Sequence, residues 1–458
     1  MSDLSDSSKG SSQTVRPFEV THWRVVGIAL PMTLAYLSTP ILGIVDTGVV
    51  GQLGDAGLIG GLAVGAIIFD ILLAMFYFLR ASTAGFVAQA VGAGDEEQQR
   101  VVAMRSLLIA LAGGIICLVL SPLILPAGLM FMNVTGDVAA ATSAYFTIRV
   151  MSVPFTLINY SVLGWLLGQG RAGTGLALQT VLNGSNIVLS LWLGLNLGWG
   201  LDGVAIATVI AETGTAFLGL LLFCRNTRYL GPLDWPRILN REALMRLLSV
   251  NRDILIRSLS LLFAFAFFTA QSAKLGDNTL AANAILMNFF MVAGFLLDGF
   301  ATAAEQLAGR AIGAHYRPAF DRSIKLTLLW GGALAAIASL IFWLGGPWLI
   351  DLVSTNETIR SEARNYLIWA ALTAVVGVTA FQMDGVYIGA TWSVEMRNMM
   401  LVSLVLFLAT WGVAMPLWNN HGLWLAIEVF LGARGITLLL RLPALRQRAF
   451  PSSSLQGS

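Results

Sequence analysis

Ala90-Val91-Gly92-Ala93 and Ala311-Ile312-Gly313-Ala314 are one motif written twice, 221 residues apart. The interval holds outward from them. Tyr145 falls on Tyr366, Gly164 on Gly385, Gly168 on Gly389, and Ala205-Ile206 on Ala426-Ile427. At 222 residues, Leu53-Gly54-Asp55 and Leu58 fall on Leu275-Gly276-Asp277 and Leu280. A register that slips only once marks a duplication. A duplicated apolar half is a common plan among transporters, whose substrate is held between the repeats.

The chain has 458 residues, 57% of them hydrophobic and only 11% charged, where soluble domains carry roughly 25% charged residues. Apolar runs such as Ser106–Leu125, Val204–Phe223, Thr327–Leu344 and Leu401–Leu417 approach or reach the roughly 20 residues that cross a bilayer. Cys117 and Cys224 lie in or at the end of such runs and read as core residues, neither a disulfide nor a metal pair. The net charge of +2 gives no argument for a nucleic-acid partner.

Twelve spans are predicted near 22–48, 58–86, 104–126, 143–168, 176–197, 201–224, 252–273, 280–303, 325–345, 364–388, 397–418 and 422–441. The expected fold is an all-α integral membrane protein. Its twelve transmembrane helices form two six-helix lobes related by a pseudo-twofold axis along the membrane normal. The organisation read from this is a disordered cytoplasmic tail over 1–20, an N-terminal lobe over 21–224 and a basic cytoplasmic linker over 225–251. A C-terminal lobe over 252–442 and a cytoplasmic tail over 443–458 complete it. The first twenty residues are polar and Ser-rich, with no signal-peptide pattern.

Orientation follows from Lys and Arg. One set of connections carries Arg100, Arg105, Arg171, the basic linker, Arg310, Arg317, Arg322, Lys325 and Arg397. The opposite set holds little beyond Lys274, Arg360 and Arg364. Both termini are therefore expected in the cytoplasm.

A charge at the bilayer centre costs at least about 2.5–3.5 kcal/mol, so polar residues inside spans are candidates for function. Asp298 and Glu305 are seven residues apart on one helical face, beside Gly299, Ala301 and Ala303. Asp384 is a third candidate in that half. Asp70, Glu212 and Glu428 fall where hydration at a span end is an equal explanation. Asp46 shares the first span with Pro31 and Pro40, and proline removes a backbone donor and bends a helix, so a hinge is expected there. A carboxyl beside a hinge can couple protonation to shape. Asn186 and Ser190, four apart on one face, form with Thr208 a second polar group. Arg80 and Arg257 either pair with carboxylates or snorkel to the interface; snorkelling is expected for Arg257.

The halves share small residues but not polar ones. Asp46 is set against Phe268, Asn186 against Phe407, Ser190 against Trp411 and Thr208 against Val429. In reverse, Asp298 is set against Tyr77, Glu305 against Ala84 and Asp384 against Leu163. A shared scaffold with different polar equipment suits a pump whose lobes have distinct tasks. His22, His315 and His421 have no metal-ligand spacing, and no phosphate-cradling Gly-rich Lys motif is present. No metal, cofactor or ATP use is expected.

Several stretches resemble the multidrug and toxic compound extrusion (MATE) family, in its DinF branch. They are residues 44–54, Ile-Val-Asp-Thr-Gly-Val-Val-Gly-Gln-Leu-Gly, after Pro31 and Pro40; Phe78-Leu79-Arg80 with Ala88-Gln89-Ala90; and Asn186-Ile187-Val188-Leu189. The remainder are Asn251-Arg252-Asp253-Ile254, Phe267-Phe268-Thr269-Ala270-Gln271, Asp298-Gly299-Phe300-Ala301, and Asp384-Gly385 with Ile388-Gly389-Ala390. The resemblance implies V-shaped lobes, alternating access and antiport of organic compounds against protons or sodium, in the bacterial cytoplasmic membrane and without enzymatic chemistry. It makes Asp46 the cation-binding carboxylate, with Asn186 and Thr208 as neutral partners, and matches Asp384 to a coupling aspartate. The family pattern has an aspartate four residues after the asparagine, where this chain has Ser190.

The resulting expectation is a proton-coupled exporter of small organic compounds, cationic or amphipathic. Sodium needs several oxygen ligands, and a site with one carboxylate attracts it less than a site with two. Sodium-coupled export, a lipid-linked saccharide flippase and a membrane-embedded transferase or hydrolase are the alternatives.

Overall fold

The computed structural model describes residues 15–451, and twelve helices within them are long and apolar enough to cross a membrane. In the first half these are α1 (His22–Gly51), α2 (Ala56–Ala93), α3 (Glu96–Phe131), α4 (Gly136–Gly168), α5 (Ala172–Asn196) and α6 (Gly200–Leu230). In the second they are α7 (Trp235–Lys274), α8 (Asp277–Gly313), α9 (Arg317–Val353), α10 (Glu357–Gly389), α11 (Ser393–Trp418) and α12 (Asn420–Ala449). Hydrocarbon offers the backbone no hydrogen bonds, so each span satisfies its own amides as a helix. Prolines explain some of the irregularities. Pro154 cannot bond back to Val150, and α4 tightens to a 3-10 turn at Val150–Ser152. The break in α2 at Met75–Tyr77 contains neither proline nor glycine; it falls where Ala74 and Tyr77 face an interior cavity. Pro31 and Pro40 both lie inside α1, which runs unbroken.

Two apolar cores lie one in each half. Phe69, Tyr145, Phe146, Trp165 and Phe223 centre the first, and Phe268, Phe289, Phe342, Phe407 and Trp424 the second. A third joins the halves, setting Met32, Ala84 and Leu167 with Phe300, Leu307 and Tyr387.

The duplication is visible where α2 meets its counterpart α8, because residues on a twofold axis touch their own equivalents. A Cβ on Gly92 would stand 2.0 Å from the Arg310 carbonyl oxygen, and one on Gly313 would stand 1.8 Å from that of Gln89. Gly309 likewise meets Ala88, its partner at the same 221-residue interval. Only glycine permits this approach. Gln89 adds a cross-half bond, its Nε2 donating to the Gly389 oxygen at 2.9 Å.

The symmetry stops there. α1 lies against α8, with Gly299 seated on Ala29 and Thr33 and the Thr33 hydroxyl donating to the Leu296 oxygen at 3.4 Å. The equivalent pair, α7 and α2, stands apart and leaves a cavity of about 350 Å³.

Several boundaries differ from those read in the sequence. The first fourteen residues of the expected 1–20 tail lie outside the described residues. Val20 is buried, and the Arg16 amide donates to the Ala314 oxygen at 3.0 Å. The last span continues to Ala449, so the first seven residues of the expected 443–458 tail are helical; residues 452–458 lie outside the description. Most of 225–251 is helical too, since α6 runs on and a helix restarts at Arg241. What separates them is pinned to the start of α3. Arg100 donates to the Gly231 and Pro232 oxygens at 2.8 and 2.9 Å, Arg105 to the Ile238 oxygen at 2.9 Å, and Arg237 pairs with Asp95 at 3.0 Å.

Candidate functional site

Three helices of the first half bring Asp46, Asn186, Ser190 and Thr208 together. The Ser190 hydroxyl lies 2.9 Å from Asp46 Oδ1 and 3.1 Å from Asn186 Oδ1, and Asn186 Nδ2 donates to the Thr208 hydroxyl at 3.2 Å. All four are buried. The chain of contacts runs α1–α5–α6 and contains one carboxylate. One turn beyond Thr208, Glu212 accepts from Asn159 Nδ2 at 2.7 Å, so it is not simply a hydrated span end.

The corresponding place in the second half is aromatic. The Phe267 ring lies 5.7 Å from Phe407 and 4.9 Å from Trp411, centroid to centroid. These are the positions 221 residues after Asp46, Asn186 and Ser190. Phe267, not Phe268, therefore stands in for Asp46; Phe268 packs on Trp424 at 5.0 Å. Rings fill the space that oxygen ligands would need, so only the first half presents this polar group.

A second polar group lies between the halves. Arg80 pairs with Glu305 at 3.5 Å and donates to Tyr36 Oη at 3.3 Å and to Tyr77 Oη. Tyr36 Oη and Thr302 Oγ1 are 3.0 Å apart. On the far side, Arg257 and Arg434 both donate to Asp384 Oδ2. Asp298 lies between the two clusters and, among the described residues, its carboxylate makes no hydrogen bond or ion pair. It lines the cavity with Arg257, Arg434, Tyr77 and the apolar Leu261, Phe265, Phe290 and Phe381. Asp298 and Glu305 do share one face of α8, and both border the smaller polar pocket around Arg80.

Two expectations are corrected here. Arg257 does not snorkel: its guanidinium turns inward to Asp384, because a carboxylate in low dielectric attracts it more than a distant interface does. Glu428 is not a hydrated residue at a span end; it is buried with both oxygens unpartnered among the described residues. Asp70, by contrast, is exposed in the structure.

Sequence reasoning missed Tyr36, Tyr77, Arg149 and Arg434. Arg434 carried the same signal as Arg80, a charge inside an apolar run. The tyrosines carried none, because a tyrosine in an apolar span is ordinary. Tyr36 and Arg257 are nevertheless repeat equivalents, as are Tyr77 and Asp298, so the network is assembled around the twofold axis from unlike residues at like positions.

Comparison with known proteins follows the same lines. The MatE family model matches residues 31–192 and 254–410. The chain is 38% identical over 415 residues to DNA damage-inducible protein F of Escherichia coli (strain K12), covering 90% of each. It is 25% identical over 418 residues to the probable multidrug resistance protein NorM of Caulobacter vibrioides, covering 89% of this chain and 86% of that one. A solved structure described as the outward-facing conformation of a multidrug resistance MATE family transporter of the MOP superfamily superposes with a TM-score of 0.84 at 18% identity. That match covers 93% of this chain and 96% of the other.

Proposed function

Because the chain belongs to the MatE family of multidrug and toxic compound extrusion transporters, we propose that it exports amphipathic organic cations in exchange for protons by alternating access. The observation that carries this reading is the state of Asp298. Glu305 is held by Arg80 and Asp384 by two arginines. Asp298 alone of the three offers an unengaged carboxylate to a largely apolar cavity. An apolar body with one cationic group matches that wall and that charge.

Coupling is assigned to Asp46. Its hydrogen-bonded group holds one carboxylate, which a proton neutralises outright, while a sodium ion would find one charge and neutral oxygens. Pro40 stands between Asp46 and Tyr36 on α1 and leaves the Tyr36 carbonyl without its usual amide. Tyr36 binds Arg80 and adjoins Thr302. A change of bend at Pro40 on protonation therefore moves the contact between α1 and the central network. Proton binding in the first half thus alters the shape of the cavity that holds the substrate.

The closed Gly92–Gly313 crossing lies at the end that the Lys and Arg distribution assigns to the cytoplasm, with both termini on that side of a bacterial inner membrane. The relatives' names are those of transporters, and the transferase and hydrolase reading is set aside on that ground. The test is export from proteoliposomes with pH and sodium gradients imposed separately. A pH gradient should drive the wild type. Asp46→Asn should bind substrate yet lose gradient-driven export, and wild-type gradient dependence in that variant would make Asp46 structural only. Export driven by sodium at equal pH, with an uncoupler present, would replace protons by sodium.

A further inference from the structure

We propose that Arg149 is the residue that makes the coupling site of the first half selective for protons, by supplying as a fixed guanidinium the positive charge that a metal ion would otherwise bring. The proposal rests on the proton-coupled reading above and deepens it.

Arg149 closes the first piece of α4, immediately before the 3-10 turn. Its Nη1 donates to Tyr145 Oη at 2.8 Å, and its guanidinium lies 4.5 Å from the Phe69 ring centroid and 5.6 Å from that of Tyr145. Two aromatic faces and a phenol hold the charge in place. Among the described residues it makes no direct ion pair. Instead it lies within electrostatic reach of three carboxylates on three other helices: Asp46 on α1, Asp70 on α2 and Glu212 on α6. Tyr145 and Tyr160, both from α4, are the remaining titratable groups facing it.

This arrangement differs from an ordinary buried salt bridge, in which the arginine is consumed by one partner. Here the carboxylates keep their oxygens free for other ligands: Asp46 is bonded to Ser190 and Glu212 to Asn159. Arg149 supplies compensation without occupying any of them. A second cation entering the Asp46 group meets repulsion from the guanidinium. A proton bonded to Asp46 merely removes one of the three negative charges and needs no coordination shell. A unit charge within about 10 Å, through an effective dielectric of about 20, changes the affinity of a monovalent cation by roughly tenfold. The aromatic clamp prevents Arg149 from swinging away to relieve that penalty. Ser190 and Arg149 thus act in the same direction, one by omitting a negative charge and the other by adding a positive one.

The test measures binding of radioactive sodium to the purified full-length protein, together with sodium-driven export at equal pH, for wild type, Arg149→Lys, Arg149→Met and Arg149→Gln. Wild type and Arg149→Lys should bind no sodium up to physiological concentration. The neutral variants should gain sodium binding by at least about tenfold, and that gain should vanish when Asp46→Asn is added. Neutral variants that remain folded and proton-driven yet bind no sodium would overturn the role of Arg149 while leaving proton coupling intact. Sodium-driven export by the wild type would instead sink the proton reading itself. Should both neutral variants fail to fold, the wild type at alkaline pH decides: its carboxyls are then ionised, and sodium binding under those conditions would refute repulsion by Arg149, whereas continued absence of binding would support it.

Discussion

Replacing Asp384 with alanine should destabilise the protein severely, and removing Arg257 as well should restore much of the loss. Arg257 and Arg434 both donate to one oxygen of Asp384, and Arg434 is 2% exposed. Two hydrogen bonds to one atom place the donor nitrogens within about 6 Å of each other. At an effective dielectric of about 20, that separation is worth about 3 kcal/mol of repulsion once the carboxylate is gone. Removing one partner of a buried charge pair typically costs about 3–5 kcal/mol, consistent with that figure. The assay is unfolding of purified Asp384→Ala, Arg257→Met and the double variant by graded addition of denaturing detergent, read as a double-mutant cycle. Asp384→Ala should lose about 3–5 kcal/mol, and the double variant should recover about 3 kcal/mol of it. A loss below about 1 kcal/mol, or no recovery in the double variant, would show that Asp384 does not hold the two arginines together.

Asp298→Asn should weaken binding of a cationic substrate about tenfold or more while sparing an uncharged analogue of the same shape, measured by fluorescence titration; equal losses for both would deny Asp298 its charge role. Gly313→Ala places a methyl group 1.8 Å from the Gln89 oxygen, so the α2–α8 crossing should open, and cysteines near Gln89 should become more reactive to a water-soluble label; unchanged reactivity would mean the crossing does not form the seal. Cysteines introduced near Arg237 and near Asn420 should label from opposite sides of the membrane, and labelling from one side would refute the twelve-span topology with cytoplasmic termini.

The number and kind of elements were legible in the sequence because membrane crossing leaves the backbone one local solution, a helix of sufficient apolar length. The duplication was legible as well, and Gly92 and Gly313 meeting across the halves is the physical content of that repeat. The Asp46, Asn186, Ser190 and Thr208 group was gathered from polar residues inside spans and from family resemblance, and its members are neighbours in space.

Which face a helix turns inward was decided only by tertiary packing. A span that is apolar on every side carries no stripe to orient it, so the sequence could place Arg257 in a span but could not show that it reaches Asp384, 127 residues away. The clamp on Arg149 depends on Phe69 and Tyr145 from two different helices. The one-residue choice between Phe267 and Phe268 depends on which ring faces Phe407. The open side of the molecule is likewise invisible in a repeat, since two similar halves predict symmetry. The departure arises because α1 packs on α8 while α7 stands off α2. Apolar length and duplication are properties of the chain alone, whereas the partner of a buried charge is set by distances between segments that only the folded packing brings together.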